Sequence, residues 1–282
     1  MKQFTVDITD ETSLANGKKS AGDRSRPLQS SSEESQVLIQ AALNGGRTRA
    51  EHAAVPITPE ELTASAREAV AAGAASIHFH ARSQDGRESV HGEDVARGVA
   101  AIRSAVPGTP VGVSTGAWIL PDLKLRHAAI AKWTLLPDFA SVNMKEEGAI
   151  EVAEWLVSRG VGVEAGLSNL LGTEIFVASG LPEKCLRVLL EPMEPDLDAA
   201  LRTLETVESV LATGRVTLPV LLHGLNATAW PFIEEAAKRG YETRIGFEDV
   251  LVLPNGESAV SNAALVSEAA NRTKRWAKSR SG

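Results

Sequence analysis

The chain has 282 residues, 43% of them hydrophobic and 23% charged, with a formal net charge of −7. This balance belongs to a globular protein able to bury a substantial core as one large domain or two ordinary ones. The negative charge argues against a general nucleic-acid binder, which shows a basic face. The single cysteine, Cys185, excludes an internal disulfide framework and a multi-cysteine metal site.

The first 36 residues are rich in Ser, Asp, Glu, Lys and Arg, too polar to offset the entropy of ordering, and are expected to form a flexible tail. They hold no apolar stretch of a secretory signal, and no later run approaches the about 18 apolar residues of a membrane span. A cytoplasmic protein that does not span a membrane is expected.

From Val37 onward, short apolar runs alternate with helical stretches. VLIQAAL (Val37 to Leu43) reads as the first strand. TPEELTASAREAVAAG follows as a helix, with Thr58 as N-cap, Pro59 at its first position, Glu61 completing a capping box and Gly73 as the stop. ASIHFHA, PVGVST, DFASVN, VGVEAG, KCLRVLLE, LPVLLHG and ETRIGFED read as the next seven strands. Helices are expected between them: EDVARGVAAIRSAV, then Asp122 to Thr134, Gly148 to Arg159, Asn169 to Ser179, Asp196 to Ala212 and ATAWPFIEEAAKRG. A last helix is expected from Ser261 to Lys278. Regular alternation of strand and helix implies parallel strands with right-handed crossovers. Eight such units match a (β/α)8 TIM barrel, which needs about 250 residues. The rival, an open doubly wound sheet, usually carries a Gly-rich dinucleotide fingerprint after its first strand. Here the loop NGGRTRAEHAAVPIT contains none.

Active sites of such barrels lie at the C-terminal ends of the strands. The polar residues there are Asn44 to Arg47, His78, His80, Arg82, Ser114, Thr115, Asn143, Glu164, Glu191, His223, Arg244, Glu248 and Asp249. His78 and His80 share one strand face, with Cα atoms within about 7 Å. They read either as two hydrogen-bonded core histidines or as two ligands of one divalent ion. A mononuclear catalytic site needs a third ligand and an open position. Glu248 is the first candidate, because strand eight lies two strands from strand two around the ring; Glu164 and His223 are rivals. Asp249, beside Glu248, suits a general base. Arg244, four residues before Glu248, suits a bidentate carboxylate contact or a clamp on Asp249. Arg47 is a candidate anion contact on a Gly-rich loop. Ser114 and Thr115 offer hydroxyls beside Gly116. Lys145 reads as a surface lysine, and Cys185, early in strand six, as core.

The segments LIQAALNGG, PITPEELTASAREAVAAGAASIHFHAR, VSTG, ASVN, TRIGFED and SNAALV resemble, in order, the β-keto acid cleavage enzymes, from about Val37 to Val266. The resemblance implies a zinc-bound TIM barrel that condenses a β-keto acid with an acyl-CoA and releases acetoacetate and a new acyl-CoA. It implies one zinc ion on His78, His80 and Glu248, with Asp249 as base assisted by Arg244. Ser114 and Asn143 match positions expected to contact the keto acid, and Thr115, Glu164, His223 and Arg47 join them as substrate-binding candidates. A homo-oligomer is expected from the same resemblance. Several features depart from the family. Arg47 stands where an acidic residue is usual and points to an anionic or neutral substrate tail. The segment RVLLEPMEPDLD after strand six is short, VEAGLSN replaces a Pro-Glu segment, and Glu191 and His223 are additions. Two other readings stay open: a CoA-independent metal-dependent aldolase or hydrolase on the same barrel, and a barrel that binds an anionic metabolite without catalysis.

Overall fold

The computed structural model describes residues 37–280, with side chains to Arg275. The tail expected over residues 1–36 lies outside them. Eight parallel strands close into a barrel in sequence order. They are β1 (Ile39–Ala42), β2 (Ser76–Phe79), β3 (Val111–Ser114), β4 (Phe139–Asn143), β5 (Gly162–Leu167), β6 (Arg187–Leu190), β7 (Val220–Leu222) and β8 (Glu242–Ile245). The helices between and after them are α1 (Pro59–Ala71), α2 (Gly92–Ala105), α3 (Leu123–Ile130), α4 (Ala149–Ser158), α5 (Leu170–Ala178), α6 (Leu197–Thr213), α7 (Ala229–Arg239) and α8 (Asn262–Arg280). The TIM barrel read from the alternation is the observed fold.

The element ends follow from local chemistry. Thr58 caps α1 in a reciprocal box with Glu61. Asp122, Asn169 and Asp196 cap α3, α5 and α6 through their side chains. Most strands are shorter than their apolar runs, so two expectations need correction. Cys185 precedes β6 rather than lying in it, although it is buried. Glu248 and Asp249 follow β8 instead of ending it. Helix α3 stops at Ile130, short of the expected Thr134.

Two layers fill the barrel, set by the two-residue period of each strand. Gln40, Phe139, Glu164, Arg187 and Glu242 form a lower layer. The Phe139 ring occupies the space where Gly112 lacks a side chain; a Cβ there would lie 1.9 Å from it. The Arg187 guanidinium stacks 5.5 Å from the Phe139 centroid and pairs with Glu164 and Glu242. His78, Ser114, Asn143, His223 and Arg244 stand nearer the C-terminal rim. Phe79, the alternate residue on β2, points outward instead and packs against Gly98 of α2. The sheet thus turns its apolar neighbours to the helices and leaves polar side chains at the mouth.

Candidate active site

The mouth of the barrel holds a cavity of about 410 Å³, lined among others by His80, Ser114, Asn143, Glu191, His223, Arg244 and Glu248. His78 is completely buried and is not among the lining residues. The imidazoles of His78 and His80 are 5.4 Å apart and nearly perpendicular. Glu248 reaches both: its Oε2 is 3.6 Å from His78 Nε2 and its Oε1 is 3.4 Å from His80 Nε2. One ligand atom from each of the three residues lies within 4.8 Å of the others.

The loop after β1 builds this geometry. Asn44 takes the His80 backbone N–H at 2.8 Å and donates to the His80 carbonyl at 3.1 Å. This double clasp fixes the backbone of a residue that has already left β2. Gly45, at φ +50°, leaves room for the Glu248 side chain; a Cβ would lie 2.3 Å from Glu248 Cγ. Gly246 brings the two strand ends together in the same way, since a Cβ there would lie 1.9 Å from the Ala42 carbonyl oxygen. Arg82 ties the loop down by donating to the carbonyls of Gly45 and Arg47.

The donor set fits a divalent cation. Among the described residues, neither ring nitrogen of the buried His78 has a hydrogen-bond partner, and neither does the buried Glu248 Oε2. Buried polar atoms are rarely left unpaired, and two imidazoles with one carboxylate are the three-ligand set of a catalytic site with an open position. The electrostatics agree. Burial alone would lower the His80 pKa, but Glu248 and Glu88 push it up to about 9. Burial would raise the Glu248 carboxyl, yet Arg244 and His80 hold it well below the usual carboxylate range. Burial drives His78 well below the usual histidine value, leaving a neutral imidazole. The charges that favour a proton on His80 favour any cation placed there.

Behind His78, His80 and Glu248, Arg244 clamps Asp249 through Nε at 3.2 Å and Nη2 at 2.8 Å, and donates to Glu248 Oε1 at 2.9 Å. Asp249 is completely buried, and its Oδ2 accepts no hydrogen bond. His223 links it to the cavity, with Nδ1 3.2 Å from Asp249 Oδ1 and Nε2 3.5 Å from Glu191 Oε2. Burial and Arg244 work against a proton on His223, but Asp249 and Glu191 raise its pKa overall.

Other sequence candidates are placed elsewhere. Glu164 is buried in the lower layer, where Gln40 and Arg187 occupy it, and it does not line the cavity. Its strand continues for three residues beyond it, to Leu167, so Glu164 lies too deep in the barrel to stand at the strand end. Arg47 is engaged by Glu51 at 2.9 Å and Asn226 at 2.7 Å, and its neighbour Gly46 lines the cavity in its stead. The inference of an anionic tail from Arg47 therefore loses its basis. Thr115 spends its hydroxyl on the Ser141 carbonyl at 2.8 Å. Ser114 and Asn143 do line the cavity, and Asn143 also donates to Glu146 at 2.9 Å. Lys145 is exposed as expected but stands at the cavity rim.

Three residues of this region escaped sequence reasoning: Glu88, Trp118 and Glu146. Glu88 contacts His80 Nδ1 at 2.6 Å and accepts from Trp118 Nε1 at 3.2 Å. A signal for Glu88 existed in the Asp85-Gly86 turn, which folds the chain back beside His80. Trp118 and Glu146 sit in loops whose course the residues alone do not reveal.

The family model of the beta-keto acid cleavage enzymes matches residues 36–154 and 185–279. The chain belongs to this family. Its members are enzymes that break carbon–carbon bonds of β-keto acids. A 3-keto-5-aminohexanoate cleavage enzyme of Fusobacterium nucleatum is 27% identical over 256 residues, covering 82% of this chain and 88% of that one. The enzyme of the same name from Acetoanaerobium sticklandii is 26% identical over 264 residues, covering 85% and 92%. A 3-oxoadipate:acetyl-CoA acetyltransferase of Cupriavidus necator matches over 80 residues at 38% identity, 28% of each chain. Among solved structures, ObcA has a TM-score of 0.59 at 17% identity, covering 76% of this chain and 60% of its own, and carries the likeness of fold alone. The family match passes over 155–184, which contains β5 and α5. The departure expected after β6 falls instead inside the matched part, whereas the altered VEAGLSN segment lies in the unmatched stretch.

Proposed function

We propose that this beta-keto acid cleavage enzyme binds one zinc ion and exchanges acyl groups between a β-keto acid and acetyl-CoA, yielding acetoacetate and a new acyl-CoA. The observation that carries the reading is the convergence of His78, His80 and Glu248 with buried, unpaired ligand atoms in a family of β-keto acid cleavage enzymes. A zinc ion held by these three side chains would supply a Lewis acid beside the keto acid's oxygens.

The remaining side chains handle protons and orientation. Asp249 is the base for the proton lost from the α-carbon, its Oδ1 held by Arg244 and its buried Oδ2 left without a hydrogen bond. His223 connects the buried Asp249 to the cavity through its imidazole. The deprotonated α-carbon attacks the thioester carbonyl, CoA is transferred to the substrate's original keto carbonyl, the bond between that carbonyl and the α-carbon breaks, and the proton held by Asp249 returns to the α-carbon of the acetoacetate that leaves. Arg244 and the Ser114 hydroxyl face the space where negative charge develops on oxygen, which is where preorganised donors are most effective. Ser114 and Asn143 position the keto acid. Lys145 at the rim and Glu191 on the wall give the tail of the substrate mixed polar surroundings.

Zinc-loaded protein is to be tested against a panel of β-keto acids with and without acetyl-CoA. Consumption of thioester with formation of acetoacetate, lost in His78→Ala, is the expected result. Cleavage of a keto acid with no thioester present replaces this reading by the CoA-independent aldolase, and no turnover of any pair abandons the acyl exchange.

A further inference from the structure

One of the two metal-ligand histidines has a carboxylate at its second nitrogen and the other has none. His78 Nδ1 is buried without a partner, whereas His80 Nδ1 lies 2.6 Å from Glu88 Oε1. Glu88 reaches this position by a hairpin immediately after β2. Arg82 and Glu88 form an antiparallel bridge. Ser83 N–H donates to the Arg87 carbonyl at 2.9 Å, Ser89 N–H to the Ala81 carbonyl at 2.9 Å, and Gly86 turns the chain at φ +82°. The hairpin therefore returns Glu88 to the side of the histidine from which it started.

We propose that Glu88 is a positioning residue for the metal centre, holding the His80 ring through Nδ1 so that Nε2 points at Glu248. A carboxylate only accepts, so the proton in this contact sits on Nδ1, and a cation that displaces the proton on Nε2 meets that nitrogen's lone pair already aimed at the ligand position. Arg82 donates to the backbone carbonyls of Gly45, Arg47 and Gly86 and supports the Glu88 charge from nearby, while the side-chain hydrogen bonds of Glu88 go to His80 and Trp118. The second donor to Glu88 Oε1 is the Trp118 indole at 3.2 Å, and the Trp118 ring stands 6.1 Å from the His80 ring, tilted by 31°. Trp118 thus holds the carboxylate from the cavity rim. Gly46 completes the fit, because a Cβ there would lie 3.3 Å from Glu88 Oε2. Carboxylates that orient a ligand histidine are worth about 10–100-fold in metal affinity.

This role rests on the zinc reading given above, and the test separates the two. Zinc affinity is measured by competition with a chelator for wild type, Glu88→Gln and Glu88→Ala, each checked for native unfolding behaviour without metal. In parallel, the slowly exchanging imidazole N–H proton of His80 is followed by NMR in metal-free protein. Glu88→Ala is expected to weaken zinc binding about 10–100-fold and to lose the protected His80 proton, with Glu88→Gln intermediate because its amide oxygen still accepts. Wild-type affinity in both variants, beside a wild type that binds zinc, overturns the role of Glu88. An unprotected His80 proton in wild type overturns the contact itself, whatever the metal does. Failure of wild type to bind zinc overturns the metal reading.

Discussion

Replacing Arg187 by Met tests the assignment of Glu164 to the barrel's architecture. Glu164 is fully buried, and one oxygen takes three donors: Gln40 Nε2 at 2.7 Å, Arg187 Nε at 2.9 Å and Arg187 Nη2 at 2.7 Å. Arg187→Met removes two of them together with the counter-charge, and leaves a carboxylate in the barrel facing Gln40 alone. Breaking a buried pair from one side costs about 3–5 kcal/mol, whereas removing both charges is often nearly neutral. Arg187 is only 11% exposed, so solvent screens this pair little. With a urea m-value of about 3 kcal/mol/M, the single variant should unfold at about 1–1.7 M less urea. The double variant Glu164→Gln/Arg187→Met should recover most of that loss. Urea titrations of wild type, Arg187→Met, Glu164→Gln and the double variant, followed by circular dichroism, give the coupling energy directly. A loss below about 1 kcal/mol in the single variant, or a double variant no more stable than the single, would refute the reasoning. Glu164→Gln should also leave zinc affinity unchanged, which a cavity ligand would not.

Three further outcomes are expected. Gly45→Ala should weaken zinc binding more than tenfold, since its Cβ would displace the Glu248 stem from 2.3 Å and its φ of +50° suits glycine; a chelator competition reads this. Zinc at a hundredfold excess over Kd should stabilise the fold by about 2.7 kcal/mol, a rise in Tm of about 5–11 °C for a domain of this size that a chelator reverses. The third concerns acid. Burial opposes the ionised form of Glu61, but hydrogen bonds from Arg49, Thr58 and Ile57 bring its pKa from 4.5 down to about 2. A pKa depressed on folding contributes stability that is present above 4.5 and is lost as pH falls toward 2. The stability gap between wild type and Glu61→Gln should therefore be full at pH 7 and shrink through that window, as urea titrations at several pH values will show.

Much of the site was legible because the barrel converts chain order into spatial order. Once eight units are counted, β8 and β2 flank β1, and a carboxylate after β8 meets histidines at the end of β2. What escaped was the depth of each residue along its strand. Glu164 and Asn143 lie on adjacent strands, yet Glu164 sinks into the lower layer and Asn143 reaches the cavity. That difference is the stagger of a tilted barrel, set by the pairing of Ser141 with Glu164 and of Asn143 with Gly166. Arg47 and Thr115 escaped for another reason. Thr115 is taken by the Ser141 carbonyl and Arg47 by Asn226, both distant in sequence, and only Glu51, four residues beyond Arg47, was a local sign that this guanidinium is engaged.

The barrel, the capped ends of its helices and the i, i+2 spacing of His78 and His80 at the end of β2 can thus be read from the chain alone. These follow from period, propensity and capping, which act over a few residues. Only the tertiary structure decided which polar residues reach the mouth, that Gly45 and Gly246 make room for Glu248, and that Glu88 stands behind His80. Those are matters of strand stagger and of close approach between segments far apart in the chain, where tenths of an ångström choose between a ligand, a clamp and a buried ion pair.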